Sequence, residues 1–277
     1  MAEQATARTV PVAEEVGRMY DRMTVLAAGL TGGDGFNAHL GYWDTPDSPL
    51  TYDEAMDRLT DVMTDRLRIG AGSRLLDVGC GVGAPAVRIA RRTGAGVTGI
   101  SVSREQVERA DVLAREAALT GRVVFQQADA MRQPYADATF DAAFALESMP
   151  HMPDRAQALR EVRRVLKPGG RLVLTDFFRR PAHRDDDPSL RAAMGSTLAE
   201  LDGYPALLRS VGLEFVEMTD ISEETVPRSF ALLAERARGL DLADDDIEAR
   251  CYFDPQALMD PALLGYLLVV ARRPLAE

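Results

Sequence analysis

From residue 74 onward the chain alternates short apolar runs with longer segments whose apolar positions recur every three to four residues. The runs at 74–78, 97–101, 123–127, 140–146, 171–177, 213–220 and 265–271 read as strands; between the first five, the spacing predicts helices over 85–92, 104–119 and 155–166. Lys167-Pro168-Gly169-Gly170 stops the last of these helices. Strands separated by helices predict an α/β architecture, with a mostly parallel sheet covered on both faces. Residues 1–70, largely helical around the break Gly32-Gly33-Asp34-Gly35, and an insert at 222–261 fall outside the alternation. Ligands of open parallel sheets sit at the carboxyl ends of the strands. These two segments are therefore expected to supply a lid, with residues 71–277 as the core domain.

The sharpest local signal is RLLDVGCGVG at 74–83, an apolar strand that reaches Asp77 and breaks into Gly79, Gly81 and Gly83. Pro85 suits the first turn of the following helix, where its missing N–H would be unpaired anyway. Glycines here permit positive φ and let a ligand approach the backbone, a property several nucleotide-binding classes share. No Lys or Ser/Thr follows Gly83, as a phosphate loop requires. The spacing is tighter than the dinucleotide fingerprint, and the next strand ends at Ser101 rather than at a carboxylate that would hold a nicotinamide ribose. On the glycines alone, a tight turn without a ligand stays open.

Charge narrows the partner. With 43 acidic against 32 basic side chains the net charge is −11, which repels nucleic-acid phosphates and anionic membranes and points to a small molecule. The two cysteines, Cys80 and Cys251, make neither a zinc nor a disulfide pattern, so no metal is expected and a reducing cytoplasm is the expected compartment. The opening MAEQATARTV lacks a signal-peptide apolar stretch. The run 263–271, interrupted by Gly265, is far shorter than the roughly 20 residues that span a bilayer.

Five stretches stand in order at a characteristic spacing: LDVGCGVG, VTGISVSREQ, QADA, ALESMPHMPD and LKPGGRLVLTDF. Together with NAHLGYWD at 37–44 they resemble the class I S-adenosylmethionine-dependent methyltransferases. The likeness is nearest to the branch of sterol, tocopherol and cyclopropane-forming enzymes and of actinomycete natural-product methyltransferases. The resemblance implies a Rossmann-like, seven-stranded fold with a helical lid, S-adenosylmethionine as cofactor and a small secondary metabolite as acceptor. It places O-methylation ahead of N- or C-methylation. The rival is a methyltransferase fold that keeps the cofactor but acts as a cyclase or binding protein. A homodimer is the default oligomer.

The resemblance also assigns roles. Asp77, Gly79, Gly81 and Gly83 would face the amino-acid end of the cofactor, Ser101 and Gln106 the ribose hydroxyls, and Asp129 with Ala130 the adenine amino group. Glu147, in the loop after the fourth strand, belongs with the cofactor residues. Tyr20, Tyr42 and Trp43 lie in the lid, with Tyr20 directed at the cofactor carboxylate. Each has a plainer reading: Asp77 and Asp129 as turn residues, the aromatics as core, and Gln106 as the far end of an S-x-x-Q capping box begun by Ser103.

Methyl transfer is an in-line displacement, so positioning and exclusion of water come first, and a hydroxyl nucleophile also benefits from a base. The natural-product enzymes carry His-His-Met-Pro-Asp after the fourth strand; here the loop reads Pro150-His151-Met152-Pro153-Asp154, with Pro150 at the base position. His151 and Asp176 are then the catalytic candidates, with His39 as an alternative from the lid. An amine or carbon nucleophile would need no base. Met194, Phe230, Tyr252 and Phe253 are candidates for the acceptor wall or for core.

Overall fold

A computed structural model describes residues 13–31, 39–180, 198–240, 243, 246–257 and 261–275. Seven strands, β1 (Arg74–Val78), β2 (Gly96–Ser101), β3 (Val123–Gln127), β4 (Phe140–Ala145), β5 (Leu166–Arg179), β6 (Glu214–Asp220) and β7 (Leu264–Arg272), form one sheet in the order 3-2-1-4-5-7-6. The pairings β3–β2–β1–β4–β5 are parallel, and β7 runs antiparallel to both β5 and β6. The helices are α1 (Ala13–Thr31), α2 (Tyr52–Leu67), α3 (Ala84–Thr93), α4 (Arg104–Glu116), α5 (Arg155–Val165), α6 (Tyr204–Ser210), α7 (Ser222–Ala237) and α8 (Ile247–Phe253).

Successive strand residues point to opposite faces, and this divides the core in two. Leu75, Phe144, Val173 and Leu268 pack with Leu59 and Met63 of α2, Ile89 of α3 and Phe230 of α7. Leu76, Ala143, Leu172 and Leu267 pack instead with Leu159 and Val162 of α5 and Leu208 of α6. Buried on both sides, the central strands carry little polar interruption, which is why they are so readable.

Three expectations change in detail. Residues 167–170 stop α5 as expected, but they already belong to the strand expected from 171: β5 starts at Leu166 opposite Phe140, and the register slips before Ala142 meets Arg171, with Gly169 at φ +82°. Helix α4 ends at Glu116, where Ala118 takes φ +56°, instead of running to 119. Within the insert expected as lid, α7 packs on β7 and sends Val226 and Phe230 into the core. The glycine break at 32–35 lies outside the described residues. Among the described residues no helix is long and apolar enough to cross a membrane.

The chain fills β1, β2 and β3 outward in one direction and then returns to place β4 on the other side of β1. That reversal opens a crevice at the carboxyl ends of β1 and β4.

Candidate functional site

A cleft of about 1040 Å³, counting its open mouth, occupies this crevice. Its floor is the glycine turn. Gly79, Gly81 and Gly83 have φ of +81°, +53° and +90°, conformations that side chains resist; Gly79 and Gly81 both line the cleft, but only Gly81 has open space where a Cβ would stand. A Cβ on Gly79 would sit 2.3 Å from that of Ser148, and one on Gly83 2.6 Å from the Phe125 ring, so those two glycines are packing requirements. A Cβ on Gly81 would meet nothing within 4 Å, and Gly81 lines the cleft. Gly83 does not line it; it caps α3, with Pro85 in the first turn.

Asp77 is the penultimate residue of β1, just before this turn. Its side chain is 1% exposed, Oδ2 accepts no hydrogen bond, and burial pushes its pKa up to about 7. A carboxylate enclosed without a partner is costly, and this one lines the cleft, so a cationic or hydrogen-bond-donating ligand would satisfy it.

At the end of β2, Ser101 Oγ donates to Gln106 Oε1 (2.7 Å) and accepts from the Ser103 N–H (3.1 Å). Ser103 caps α4 by accepting from the Gln106 N–H (3.1 Å), while the Gln106 side chain turns to Ser101, so only half of the capping box forms. Both Ser101 and Gln106 line the cleft. Just beyond β3, Asp129 Oδ1 accepts from the Met131 N–H (2.8 Å), making the turn expected of it, and its side chain still faces the cleft beside Ala130.

The loop after β4 supplies the other wall. Glu147 has φ +53°, unusual for a residue with a side chain. Its Oε1 accepts from the Leu40 N–H (2.8 Å) and from Tyr266 Oη (2.7 Å), and burial pushes its pKa up to about 7. Met149–His151 form a single 3-10 turn, which brings the His151 ring to the cleft with Tyr20 Oη 2.7 Å from Nε2. The two rings meet edge to face, with centroids 5.2 Å apart. Burial and the Arg155 charge lower the His151 pKa to about 4. His39 also lines the cleft; its Nδ1 donates to the Leu40 carbonyl (2.9 Å), leaving Nε2 as the basic nitrogen, and burial holds its pKa near 4.

Other candidates lie elsewhere. Asp176 is fully buried outside the cleft: Arg155 Nε (3.0 Å) and Nη2 (3.2 Å), Tyr204 Oη (2.8 Å) and the Phe177 N–H (2.9 Å) all donate to its carboxylate. A carboxylate so saturated cannot double as the base. Trp43 is 3% exposed and stacks on Tyr52 (6.2 Å, 9°), with Arg228 over the Trp43 ring at 4.7 Å and Arg236 over Tyr52 at 4.8 Å. This stack ties the segment after residue 39 to α7. Tyr42 packs against the core beside it, and neither reaches the cleft. Of the acceptor-wall candidates, Tyr252 lines the cleft, while Phe230 and Phe253 are core and Met194 is outside the described residues.

Sequence reasoning missed Val102, Met131 and Met152, apolar residues that line the cleft just past strand or loop ends. The available signal was position alone: each follows a polar candidate by one or two residues, Val102 and Met131 just past β2 and β3 and Met152 in the loop after β4. No cluster of three or more His, Cys, Asp or Glu side chains suited to a metal occurs among the described residues.

A family model described as a methyltransferase domain matches residues 76–174. The 27-O-demethylrifamycin SV methyltransferase of Amycolatopsis mediterranei is 44% identical, over 96% of this chain and 99% of that protein. Methyltransferase GfsG of Streptomyces halstedii is 41% identical, over 94% of each. The crystal structure of the [4+2]-cyclase SpnF superposes with a TM-score of 0.85 at 36% identity, over 97% of this chain and 98% of that one.

Proposed function

This chain belongs to the S-adenosylmethionine-dependent methyltransferases, and from that premise we propose that it methylates a hydroxyl group of a small secondary metabolite. One observation carries the reading: the unpartnered Asp77 carboxylate lies under a glycine turn whose Gly81 leaves open space, in line with the polar groups of β2 and β3. These residues fit the cofactor. Asp77 and the Gly81 backbone would hold its amino-acid end, Ser101 and Gln106 its ribose hydroxyls, and Asp129 beside Ala130 and Met131 its adenine. When bound, S-adenosylmethionine supplies a methyl group activated by a sulfonium.

The protein's task is then to orient an acceptor hydroxyl toward that methyl, exclude water and take one proton. Tyr20 and His151 form a relay for the proton. The Tyr20 oxygen receives it from the acceptor while the Tyr20 hydroxyl hydrogen passes to His151 Nε2, 2.7 Å away. His151 is neutral at pH 7 because of burial and Arg155, so it can accept. It is a weak base, which suffices because the acceptor oxygen becomes strongly acidic as it bonds to carbon. Asp176 acts through Arg155, fixing the helix that begins four residues after His151. His39 offers a second neutral imidazole to orient the acceptor.

The proposal includes a homodimeric, cytoplasmic protein, checked by light scattering and by locating a tagged chain. Its chemistry is tested with 27-O-demethylrifamycin SV and other hydroxylated macrocycles plus S-adenosylmethionine, with NMR of the product. A new O–CH₃ signal and equimolar S-adenosylhomocysteine support the reading. A methyl on nitrogen or carbon, or no methyl in the product, overturns it.

A further inference from the structure

We propose that Glu147 is the counter-ion of the donor's sulfonium, and the residue by which the cleft distinguishes methylated donor from demethylated product. This rests on the cofactor reading above and assigns a charge-sensing role within it.

Sheet order supplies the first argument. The candidate cofactor groups run along consecutive strand ends, Asp129 after β3, Ser101 on β2, and Asp77 on β1 with Gly81 in the turn after it, and the next strand in that line is β4. Glu147 leads the loop after β4, so it stands where the line of donor contacts gives way to the histidines on the acceptor side. The loop is pinned there from both neighbours. Ser148 Oγ donates to the Val78 carbonyl of β1 (2.6 Å), and the Glu147 N–H donates to Thr175 Oγ1 of β5 (3.1 Å).

The side chain supplies the second. Both hydrogen bonds to the Glu147 carboxylate, from the Leu40 N–H and from Tyr266 Oη, go to Oε1. Oε2 accepts none among the described residues, and the half-buried side chain lines the cleft. The φ of +53° shows that the fold tolerates strain to hold this residue in place. A half-desolvated carboxylate with one oxygen left without a hydrogen bond, on a residue that lines a ligand cleft, is matched by a ligand carrying positive charge. The sulfonium loses its charge when the methyl leaves, whereas the ammonium beside Asp77 keeps its own. The two carboxylates therefore predict different ligand selectivities.

The test is calorimetric titration of S-adenosylmethionine and S-adenosylhomocysteine at pH 8 into wild type, Glu147→Gln, Asp77→Asn and Tyr266→Phe. Glu147→Gln keeps an acceptor for Leu40 and Tyr266 and removes only charge. We expect it to weaken S-adenosylmethionine roughly ten- to a hundredfold while S-adenosylhomocysteine stays within about twofold. Asp77→Asn should weaken both alike, and Tyr266→Phe should leave their ratio unchanged, separating charge from loop positioning. Equal weakening of both ligands by Glu147→Gln, or no change in either, overturns the assignment. If wild type binds neither ligand, the cofactor reading fails first and this assignment falls with it.

Discussion

Replacing each glycine of the turn by alanine separates the ligand's requirements from the fold's. At Gly81 an alanine in the left-handed region costs about 1 kcal/mol, and with no atom within 4 Å of its Cβ there is no clash to add. For a chain of this size that lowers Tm by about 2–4 °C. At Gly79 the same backbone cost is joined by a Cβ 2.3 Å from that of Ser148, and overpacking of that kind typically costs about 1–3 kcal/mol. Gly83→Ala meets the Phe125 ring and Ala110 at 2.6 and 2.8 Å and should behave like Gly79→Ala. Thermal denaturation and titration with S-adenosylhomocysteine read the two effects in parallel. Gly81→Ala should be the most stable of the three and yet lose at least about tenfold in affinity, since its methyl fills space the ligand needs. If Gly81→Ala binds as wild type does, or melts as low as Gly79→Ala, the division of labour in the turn is wrong.

Tyr20→Phe and His151→Asn should each lower kcat on a hydroxyl acceptor by about 10²-fold or more without changing S-adenosylhomocysteine affinity, and the double variant should be little worse than either, as for two parts of one relay; additive losses would refute the relay. Activity of the wild type should fall as pH drops through about 4, where His151 gains its proton, and a pH–rate profile checks this. Asp77 holds a proton in the folded state up to about pH 7 but releases it near 4 when unfolded. The ligand-free protein should therefore lose stability as pH rises from 4 to 7, by up to about 4 kcal/mol from this group. Asp77→Asn should lack that component in denaturant titrations at pH 4.5 and 8. Arg155→Ala leaves the Asp176 charge buried without its partner and should cost about 3–5 kcal/mol of stability.

Much of this is legible in the amino-acid sequence. The strands stood out because a sheet covered on both faces forces near-continuous apolar runs, and the glycine turn because positive φ narrows the choice of residue. The fate of polar and aromatic residues was harder to read, since it depends on partners distant in sequence. The resemblance makes Asp176 a catalytic candidate, but Arg155 and Tyr204 saturate its carboxylate. Trp43 looked like a lid aromatic, but Arg228, 185 positions on by the sequence numbering, holds it in a stack. The Tyr20–His151 bond joins residues 131 apart, and no local period announces such a pairing. Pro150 suggested a displaced base; the 3-10 turn it helps start is what carries His151 to the cleft.

The central claim is that the crevice beside β1 holds S-adenosylmethionine and spends its methyl group on an acceptor. The most direct measurement is single-turnover mass spectrometry with S-adenosyl-[methyl-13C]methionine and a hydroxylated macrocyclic acceptor, following labelled product and S-adenosylhomocysteine together. The account predicts that both appear at the same rate and in equal amounts. Conversion of the acceptor to an unlabelled isomer, with the donor recovered intact, would contradict it and align the chain with cyclisation instead.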